Sequence, residues 1–475
     1  MILLTAWKNV WRNKSRSLVV ITSITIGIFA GIFAVGLMNG TMEQRVDAAL
    51  NQEISHIQIN QKEFTDNYNI KLLIDNKNQL KQMINNVDGV EATTLRTLIT
   101  GIANTATKST GVQIIGVNPE NEKQVFNLHS KTIAGTGSYF EKETRYNQAY
   151  IGEELAKELN IIRYRIDNKM IDRLRKQEVP EETISKLEPF IGERFPSQKA
   201  FSRTIEKALS EKETANYGHI ILDAAWSFRE RSKLTLTFVD KNNIQTGAMF
   251  RISGIFDVSN SMFEKRNVFI RNEVLKNLTG IEPDKTHQAI IKIADRDQSK
   301  EITGKLEAMF PDYQTRHWKE LSPDLAMMTG MIEKFNIVFL IIILAALSFG
   351  IINTMLMVVL ERTKELGMLT AIGMNKRRVF SMIMAESVFL SLVGGVVGII
   401  VSKIMLLFTA NTGINFASAA QGLEEMGFSS HIYPTISNTF FITVTILVII
   451  TGMLSSIYPA IKALRLDPSD ALRTE

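Results

Sequence analysis

The residues that most often do chemistry occur in this chain without the spacing that catalysis or metal binding requires. A Walker A loop would need glycine at two positions before Lys108-Ser109, and the residues there are Ile102 and Thr107. The chain has no cysteine, which excludes disulfides, thiolate catalysis and cysteine-ligated zinc. The histidines are never paired at metal-ligand spacing: His56, His129, His219, His287, His317 and His431. The sequence therefore predicts no catalytic residue, no metal site and no cofactor bound to this chain.

Four long apolar runs indicate a membrane protein. Residues 18–38 are 21 consecutive residues without a charge, and as a helix they would extend roughly 31 Å, close to the thickness of the bilayer hydrocarbon. This run is longer than the apolar part of a cleavable signal peptide, and no cleavage-site pattern follows it. Residues 335–360, 379–408 and 440–460 form three similar runs. The sequence therefore predicts four transmembrane helices, of which the first is separated from the others by a long segment.

The distribution of lysine and arginine predicts the orientation of these helices. Four basic residues lie within residues 1–17, five within 361–378 and three within 461–475, whereas 409–439 contains none. Cytoplasmic loops carry an excess of basic residues. We therefore expect both termini and the 361–378 loop to be cytoplasmic, and residues 39–334 to lie outside. The net charge of +5 then reflects residues beside the spans and not a surface for nucleic acid.

The segment between the first and second spans has the pattern of a folded domain. Apolar residues alternate at 54–59, 234–238 and 289–293, which predicts strands, and residues 299–310 have helical spacing. Residues 162–231 differ, with 14 basic and 12 acidic side chains. This stretch is predicted to be a helical insertion, either a solvated decoration or an arm that binds a partner.

A short segment at 361–373, directly after the second span, predicts a helix. Leu366, Leu369 and Ile372 recur at helical spacing, and a glycine suits the C-terminal end of the segment. Such a helix could dock into a groove of a partner protein or lie on the lipid surface. Residues 1–17 also have an apolar face, which predicts an amphipathic helix at the membrane surface.

Small residues and one charge predict how the membrane helices pack. Glycines that would allow close approach of helices are Gly27, Gly31, Gly394, Gly395 and Gly398. Glu386 lies about two turns into the third membrane helix, where a charge is costly unless it is paired. We expect an ion pair or hydrogen bond with Arg362 or with the Arg377/Arg378 region.

Three motifs, together with the order of one span, a large domain and three spans, resemble a known family. They are Asn9-x-x-Arg12-Asn-Lys-x-Arg16, Glu361-Arg-Thr-Lys-Glu-Leu-Gly-Met-Leu-x-Ala-Ile-Gly373 and Pro459-Ala-x-Lys-Ala-x-Arg-x-Asp-Pro468-x-x-Ala-Leu-Arg473. With Glu386 and the glycine cluster, these residues make the chain similar to the FtsX-like permeases of MacB and LolC/LolE type ABC transporters.

This resemblance implies an α-helical membrane protein with four transmembrane helices and a large α/β (α+β) periplasmic domain between helices 1 and 2. That domain would have a porter-like part at 41–117 and 286–330 and a sabre-like part at 118–285. The resemblance also implies an inner-membrane dimer with a second permease copy or a paralogue, and a cytoplasmic ATPase dimer that holds ATP and Mg. The residues implied to couple to the ATPase are Glu361, Arg362, Glu365, Leu366, Gly367, Leu369, Ile372 and Gly373.

The function implied first is mechanotransmission, in which ATPase closure drives extraction of lipoproteins from the inner membrane for delivery to a periplasmic carrier. The alternatives are MacB-like export of periplasmic peptides, toxins or antibiotics, and FtsX-like signalling to a cell-wall hydrolase. Lipoprotein extraction needs an apolar cavity for acyl chains. The residues expected to line it are Ile28, Phe29, Ile32, Phe33, Met328, Met331, Phe335 and Val338.

Overall fold

The computed structural model describes residues 2–141, 144–195, 197–229, 231–419, 422–423 and 426–464. The helices are α1 (Ile2–Arg12), α2 (Lys14–Ala48), α3 (Phe64–Asn67), α4 (Lys77–Asn85), α5 (Pro119–Val125), α6 (Glu153–Glu158), α7 (Asn168–Lys176), α8 (Glu181–Ser185), α9 (Gln198–Ala208), α10 (Glu211–Ala225), α11 (Ser261–Arg266), α12 (Asn272–Thr279), α13 (Ser299–Met309), α14 (Trp318–Leu321), α15 (Pro323–Glu361), α16 (Thr363–Ala371), α17 (Lys376–Thr412) and α18 (Asn438–Leu464). The strands are β1 (Ile57–Gln61), β2 (Val90–Asn104), β3 (Ser109–Val117), β4 (Gln148–Gly152), β5 (Ile162–Arg165), β6 (Arg194–Phe195), β7 (Trp226–Phe228), β8 (Lys233–Val239), β9 (Gln245–Phe256), β10 (Asn267–Arg271), β11 (Gln288–Ile293), β12 (Tyr313–His317), β13 (Ile414–Asn415) and β14 (His431–Ile432).

The chain forms two compact units. The helical unit consists of residues up to Val46, Pro323–Leu423 and the residues from Phe428 onward, and the α/β unit is Asp47–Ser322. Four helices of the helical unit, α2, α15, α17 and α18, are long and apolar enough to cross a membrane. Each of them contributes to one apolar core, with buried residues that include Ile24, Leu344, Leu390 and Val448. Small polar groups also join the helices, since Ser387 Oγ of α17 donates to the Gly452 carbonyl of α18.

The helices extend further than the apolar runs that predict them. Helix α2 continues beyond 18–38 to Ala48, and α15 begins at Pro323 and not at 335. Both helices therefore continue past their apolar parts into the segment predicted to lie outside, which leaves the predicted bounds 39–334 as a prediction. The amphipathic helix expected at 1–17 is α1, which ends at Arg12.

The other two membrane-length helices also extend beyond their apolar runs. Helices α17 and α18 exceed the predicted 379–408 and 440–460 at both ends. The 361–378 loop contains α16, and the 409–439 loop contains the antiparallel pair of β13 and β14. The tail at 461–475 begins inside α18, and its last residues, 465–475, lie outside the described ranges.

The α/β unit contains a six-stranded barrel that continues into a flat sheet. Strand pairings run from β2 through β3, β10, β4, β9 and β8 and return to β2, which closes the barrel. Strands β11, β1 and β12 extend the sheet from the other half of β2. Inside the barrel, alternate residues such as Ile114, Ile151, Leu236 and Phe250 are buried. Helices α4 and α13 cover the extension, where Leu80 and Leu306 are buried.

The division between the predicted porter-like and sabre-like parts is misplaced. Strand β3, assigned to the first part at 41–117, pairs in parallel with β10 and belongs to the barrel. The boundary lies within β2, because this single 15-residue strand passes from the sheet into the barrel. Sequence spacing could not place this boundary, because β2 is one continuous strand across it.

The charged insertion has a core of its own. It begins at β5 and ends at β7, two antiparallel neighbours, so both ends of the insertion leave the barrel side by side. Helices α7, α9 and α10 pack against the three-stranded sheet of β6, β5 and β7, with Leu174, Phe201 and Ile221 buried between them. The insertion is therefore a small packed subdomain within the α/β unit.

Candidate coupling site

Helix α16 occupies the segment for which the sequence predicts a short helix. Gly373 has φ +98, a left-handed conformation that ends the helix at low cost. Asn375 then caps α17, because its side-chain oxygen accepts a hydrogen bond from the Arg377 backbone N–H at 3.0 Å. The sharp end of α16 and the capped start of α17 fix a turn between them at 372–375.

The two faces of α16 differ in burial. Leu366 is only 5% exposed and belongs to the core of the helical unit, and Leu369 packs against that core. On the opposite face, Met368 is 51% exposed and Ile372 is 79% exposed. The prediction that Leu366, Leu369 and Ile372 together meet a partner is therefore wrong for Leu366, which holds α16 to its own bundle. The exposed apolar face consists of Met368 and Ile372, beside Lys364.

A network of charged and polar side chains ties α16 to two other helices. Glu386 of α17 accepts hydrogen bonds from Asn9 of α1 and from Arg362, whose Nη1 lies 3.1 Å from Glu386 Oε1. Arg362 Nε also donates to Glu365 Oε2 at 3.0 Å, and Arg12 Nη2 donates to Glu365 Oε1 at 2.6 Å. Arg362, and not the Arg377/Arg378 region, is therefore the basic partner of Glu386.

The two ends of this network differ in exposure. The Arg362 and Glu386 side chains are 16% and 6% exposed, whereas Arg12 and Glu365 are 55% and 44% exposed. The hydrogen bond from Arg12 lowers the pKa of Glu365, so this carboxylate stays ionised at neutral pH. Buried charges need their partners far more than exposed ones do. The Arg362–Glu386 pair is thus more costly to separate than the Arg12–Glu365 pair.

A cavity of about 230 Å³ lies beside the network. Asn9, Arg12, Arg362 and Glu386 form its polar wall, and Glu361, the last residue of α15, also lines it. Its apolar wall includes Met355 of α15. The charged side chains therefore have space on one side in which to change position.

The predicted glycines lie at close contacts between helices. A side chain at Gly27 would meet Leu347 of α15, and one at Gly31 would meet Ile343 of the same helix. On α17, Gly394 faces Ile24, Gly395 faces Val448 and Gly398 faces Ile28. Gly367 of α16 is also buried. The glycines let α2 approach both α15 and α17.

The residues predicted to line an acyl-chain cavity do not share one surface. Ile28 and Ile32 are buried in the core of the helical unit, and α17 glycines bring that helix against Ile28. Phe29 and Phe33 are partly buried and stack on each other, with ring centroids 5.7 Å apart. Exposed apolar residues of α15 are Met328, Met331, Phe335 and Val338. The prediction is therefore wrong for Ile28 and Ile32.

Sequence reasoning used Asn9 and Arg12 only as part of a family motif and assigned no role to Met368, whereas the structure places all three at the site. Asn9 and Arg12 are three residues apart, a spacing that puts both on one face of α1. This spacing is the sequence signal from which a shared role of Asn9 and Arg12 could have been predicted. Among the residues that the structure describes, no group of three His, Asp or Glu side chains could hold a metal ion.

Four membrane-length helices, with the α/β unit inserted in sequence between the first two, are the architecture of a multi-pass membrane protein. Residues 337–468 match the FtsX-like permease C-terminal family, and residues 17–171 match the MacB-like periplasmic core domain. The chain therefore combines an FtsX-like permease segment with a MacB-like periplasmic core segment, and the relatives it resembles are ABC transporter permeases.

Individual relatives agree with this assignment over part of the chain. An uncharacterized ABC transporter permease of Methanocaldococcus jannaschii is 27% identical over 48% of this chain and 55% of its own length. The pyoverdine export ATP-binding/permease protein PvdT of Pseudomonas entomophila is 33% identical over 34% of this chain and 23% of its own length. This chain thus spans about half of the first protein and under a quarter of the second.

The solved structures that match include the periplasmic region of MacB from Actinobacillus actinomycetemcomitans. It is 11% identical, with a TM-score of 0.28, and the match covers 57% of this chain and 91% of that structure.

Proposed function

We propose that this chain is the membrane subunit of an ABC transporter, and that an ATPase subunit binds the exposed face of α16. The observation that carries this proposal is the pair of aliphatic side chains at Met368 and Ile372, which stand exposed on a helix whose other face is fixed in the bundle. An apolar pair on a short anchored helix suits a groove in a partner protein. The expected partner is a dimer of ATPases that hold ATP and Mg themselves.

Movement of α16 would be passed on by the helices to which it is attached. Arg362 links α16 to Glu386 of α17, and Leu366 seats α16 in the core shared by the membrane helices. A push on α16 would therefore displace α17 and α15 rather than bend α16 away from them. We propose that α2 and α15, which lead into the α/β unit along the chain, carry this displacement to it as mechanotransmission, in a pair of permease chains.

We propose two candidate substrate classes, in order of support. The similarity to a pyoverdine exporter and to the MacB-like core domain favours export of a small amphipathic molecule or peptide from the outer side of the membrane. Lipoprotein extraction, with delivery to a periplasmic carrier, is the second candidate. It is favoured by the exposed apolar residues Met331 and Phe335 of α15, although the burial of Ile28 and Ile32 leaves a smaller surface for acyl chains. FtsX-like signalling to a hydrolase has no separate support.

Photo-crosslinkers at Met331 and Phe335 would distinguish the two substrates. If lipoproteins are extracted, both positions should capture a triacylated lipoprotein in the nucleotide-free complex and lose it when ATP is bound. Phe349 is exposed on the same helix and serves as the control position, where only lipid should be captured. Capture of phospholipid alone at all three positions, unchanged by ATP, would reject extraction and leave export.

The ATPase contact is tested by copurification. Replacing both Met368 and Ile372 with aspartate should abolish recovery of the ATPase with the permease, because each buried aliphatic side chain contributes about 1.5 to 3 kcal/mol and a buried charge adds a further cost. The matched control is Ile244→Asp, which places the same charge on an exposed aliphatic residue of the α/β unit. Normal recovery of the ATPase with the double variant would reject the proposed contact.

Orientation is a separate part of the proposal. Because the chain lacks cysteine, single cysteines at Ser109, Asn375, Ser418 and Thr474 can be labelled with an impermeant reagent. Ser109 and Ser418 should react in intact cells, whereas Asn375 and Thr474 should react only after permeabilisation. Reaction of Asn375 in intact cells would place α16 on the wrong side for a cytoplasmic ATPase.

A further inference from the structure

We propose that Arg12 of α1 is a positioning residue that latches the coupling helix in its resting position. In this account the Arg12–Glu365 ion pair holds α16 against α1 and opens when the bound ATPase moves α16. The inference rests on the proposed function, since it concerns how the same α16 site is held before the ATPase acts on it.

The geometry makes α1 a fixed point against which α16 can move. Ala6 and Val10 of α1 are buried, and the Trp7 ring meets Phe389 of α17 edge to face, with centroids 5.4 Å apart. Ser17 Oγ donates to the Val10 carbonyl and so ties the start of α2 back to α1. Neither the Trp7–Phe389 contact nor the Ser17–Val10 hydrogen bond involves α16. Helix α1 therefore keeps its place when the coupling helix is displaced.

Glu365 forms ion pairs with two arginines, and the two ion pairs differ in strength. Arg12 reaches it from α1 through an exposed pair, whereas Arg362 binds both Glu365 and the enclosed Glu386. If Arg12 releases Glu365, the carboxylate keeps Arg362, and Glu386 keeps both Arg362 and Asn9. No buried charge loses its last partner, so opening this one contact is inexpensive. Breaking the Arg362–Glu386 contact would instead strand a charge inside the bundle.

The cavity beside the network allows this opening without a clash. Arg12 and Arg362 both line it, so there is space beside the Arg12 side chain when it leaves Glu365. An exposed ion pair of this kind contributes little to stability. Such a contact is weak enough to yield to ATPase movement and strong enough to bias its resting position.

The test uses the permease with its ATPase reconstituted in lipid nanodiscs. The measured quantity is ATP hydrolysis without added substrate, at about 50 and about 500 mM salt, because salt screens exposed ion pairs and affects enclosed ones much less. The wild-type rate should rise about two- to fivefold with salt. Arg12→Gln should give the higher rate at both salt concentrations, and Arg12→Lys, which keeps the charge, should restore the salt response.

A distance measurement separates a latch from a merely structural arginine. Spin labels at Lys8 of α1 and Lys364 of α16, both exposed, should move apart when the ATPase is trapped with ATP and vanadate. Equal hydrolysis by the wild type and Arg12→Gln at both salt concentrations, or an unchanged distance in the trapped state, would overturn the latch. Failure of the ATPase to bind the wild-type permease would instead overturn the proposed function.

Discussion

Two carboxylate–guanidinium networks in this protein differ in how they are enclosed. In the α/β unit, Arg96 and Glu122 are both almost fully buried, and Arg96 Nε donates to Glu122 Oε1 at 2.9 Å. Thr94 donates to the other carboxylate oxygen, and the Arg96 guanidinium lies 4.1 Å from the centre of the Phe126 ring. In the helical unit, the exposure of the network's side chains increases from the enclosed Glu386 to the exposed Arg12. We call it the graded network. The first arrangement can only hold a fold together, whereas the second can open at one end.

The largest expected effect comes from breaking the enclosed pair. Arg96→Ala should lower the free energy of unfolding of the α/β unit by about 3 to 5 kcal/mol, because Glu122 is left as a buried charge without its cation. Hydrogen exchange of the barrel amides in the full-length protein would measure it. Arg266→Ala, an exposed arginine of the same unit, is the control and should change little. A similar small change for Arg96→Ala would show that the pair is not structural.

Glu264 is a buried acid whose hydrogen bonds come from backbone groups alone. Its effect on stability should differ from that of either network, because it should depend on pH. Glu264 accepts hydrogen bonds from the backbone N–H groups of Val258 and Glu154, at 2.5 and 3.1 Å. Burial raises the pKa of Glu264 to about 8, although these N–H groups favour the charged form. The folded protein therefore keeps a proton that the unfolded chain loses above its pKa of 4.5.

The contribution of Glu264 to stability should fall as the pH rises. The stability contributed by Glu264 is fully present below about pH 4.5 and is lost as the pH rises towards 8. The expected slope is about 1.4 kcal/mol per pH unit, or roughly 3 kcal/mol between pH 5 and pH 7. Unfolding of the α/β unit at several pH values would measure this slope. Glu264→Gln should make it much shallower, and an unchanged slope would assign the effect to another group.

The smallest expected effect on stability is at the exposed end of the graded network. Arg12→Ala should destabilise the helical unit by less than about 1 kcal/mol, because exposed ion pairs contribute little and Glu365 keeps Arg362. Thermal unfolding of the detergent-solubilised protein would measure it. A loss comparable to that of Arg96→Ala would remove the distinction between an enclosed and a graded network.

The sequence predicted the four membrane helices well because an apolar run is a local signal. It could not predict which face of α16 is buried, because Leu366, Met368, Leu369 and Ile372 are all apolar, so spacing permits more than one orientation. Packing against the apolar core of the helical unit determines that Leu366 and Leu369 lie on the inner face. The choice is therefore made by tertiary packing and not by the helix itself.

Closure of the barrel was also beyond sequence reasoning. Alternation indicated strands such as β8, but β8 pairs with β2, from which it is separated by more than 100 residues and by the whole insertion. The same holds for the graded network, in which Asn9 and Glu386 meet from opposite ends of the chain. Residue types and spacing predicted that Glu386 needs a partner, whereas only the fold supplies Asn9 and selects Arg362.

The most direct test of the central claim compares Leu366 of α16 with Ile372, the residue directly after this helix. A photo-crosslinking residue at Ile372, on the exposed face, should capture the ATPase subunit in intact cells. The same residue at Leu366, on the buried face and less than two turns away, should capture only the permease chain. Capture of the ATPase from Leu366 but not from Ile372, or from neither position while the two proteins still copurify, would contradict the account of α16 as the coupling helix.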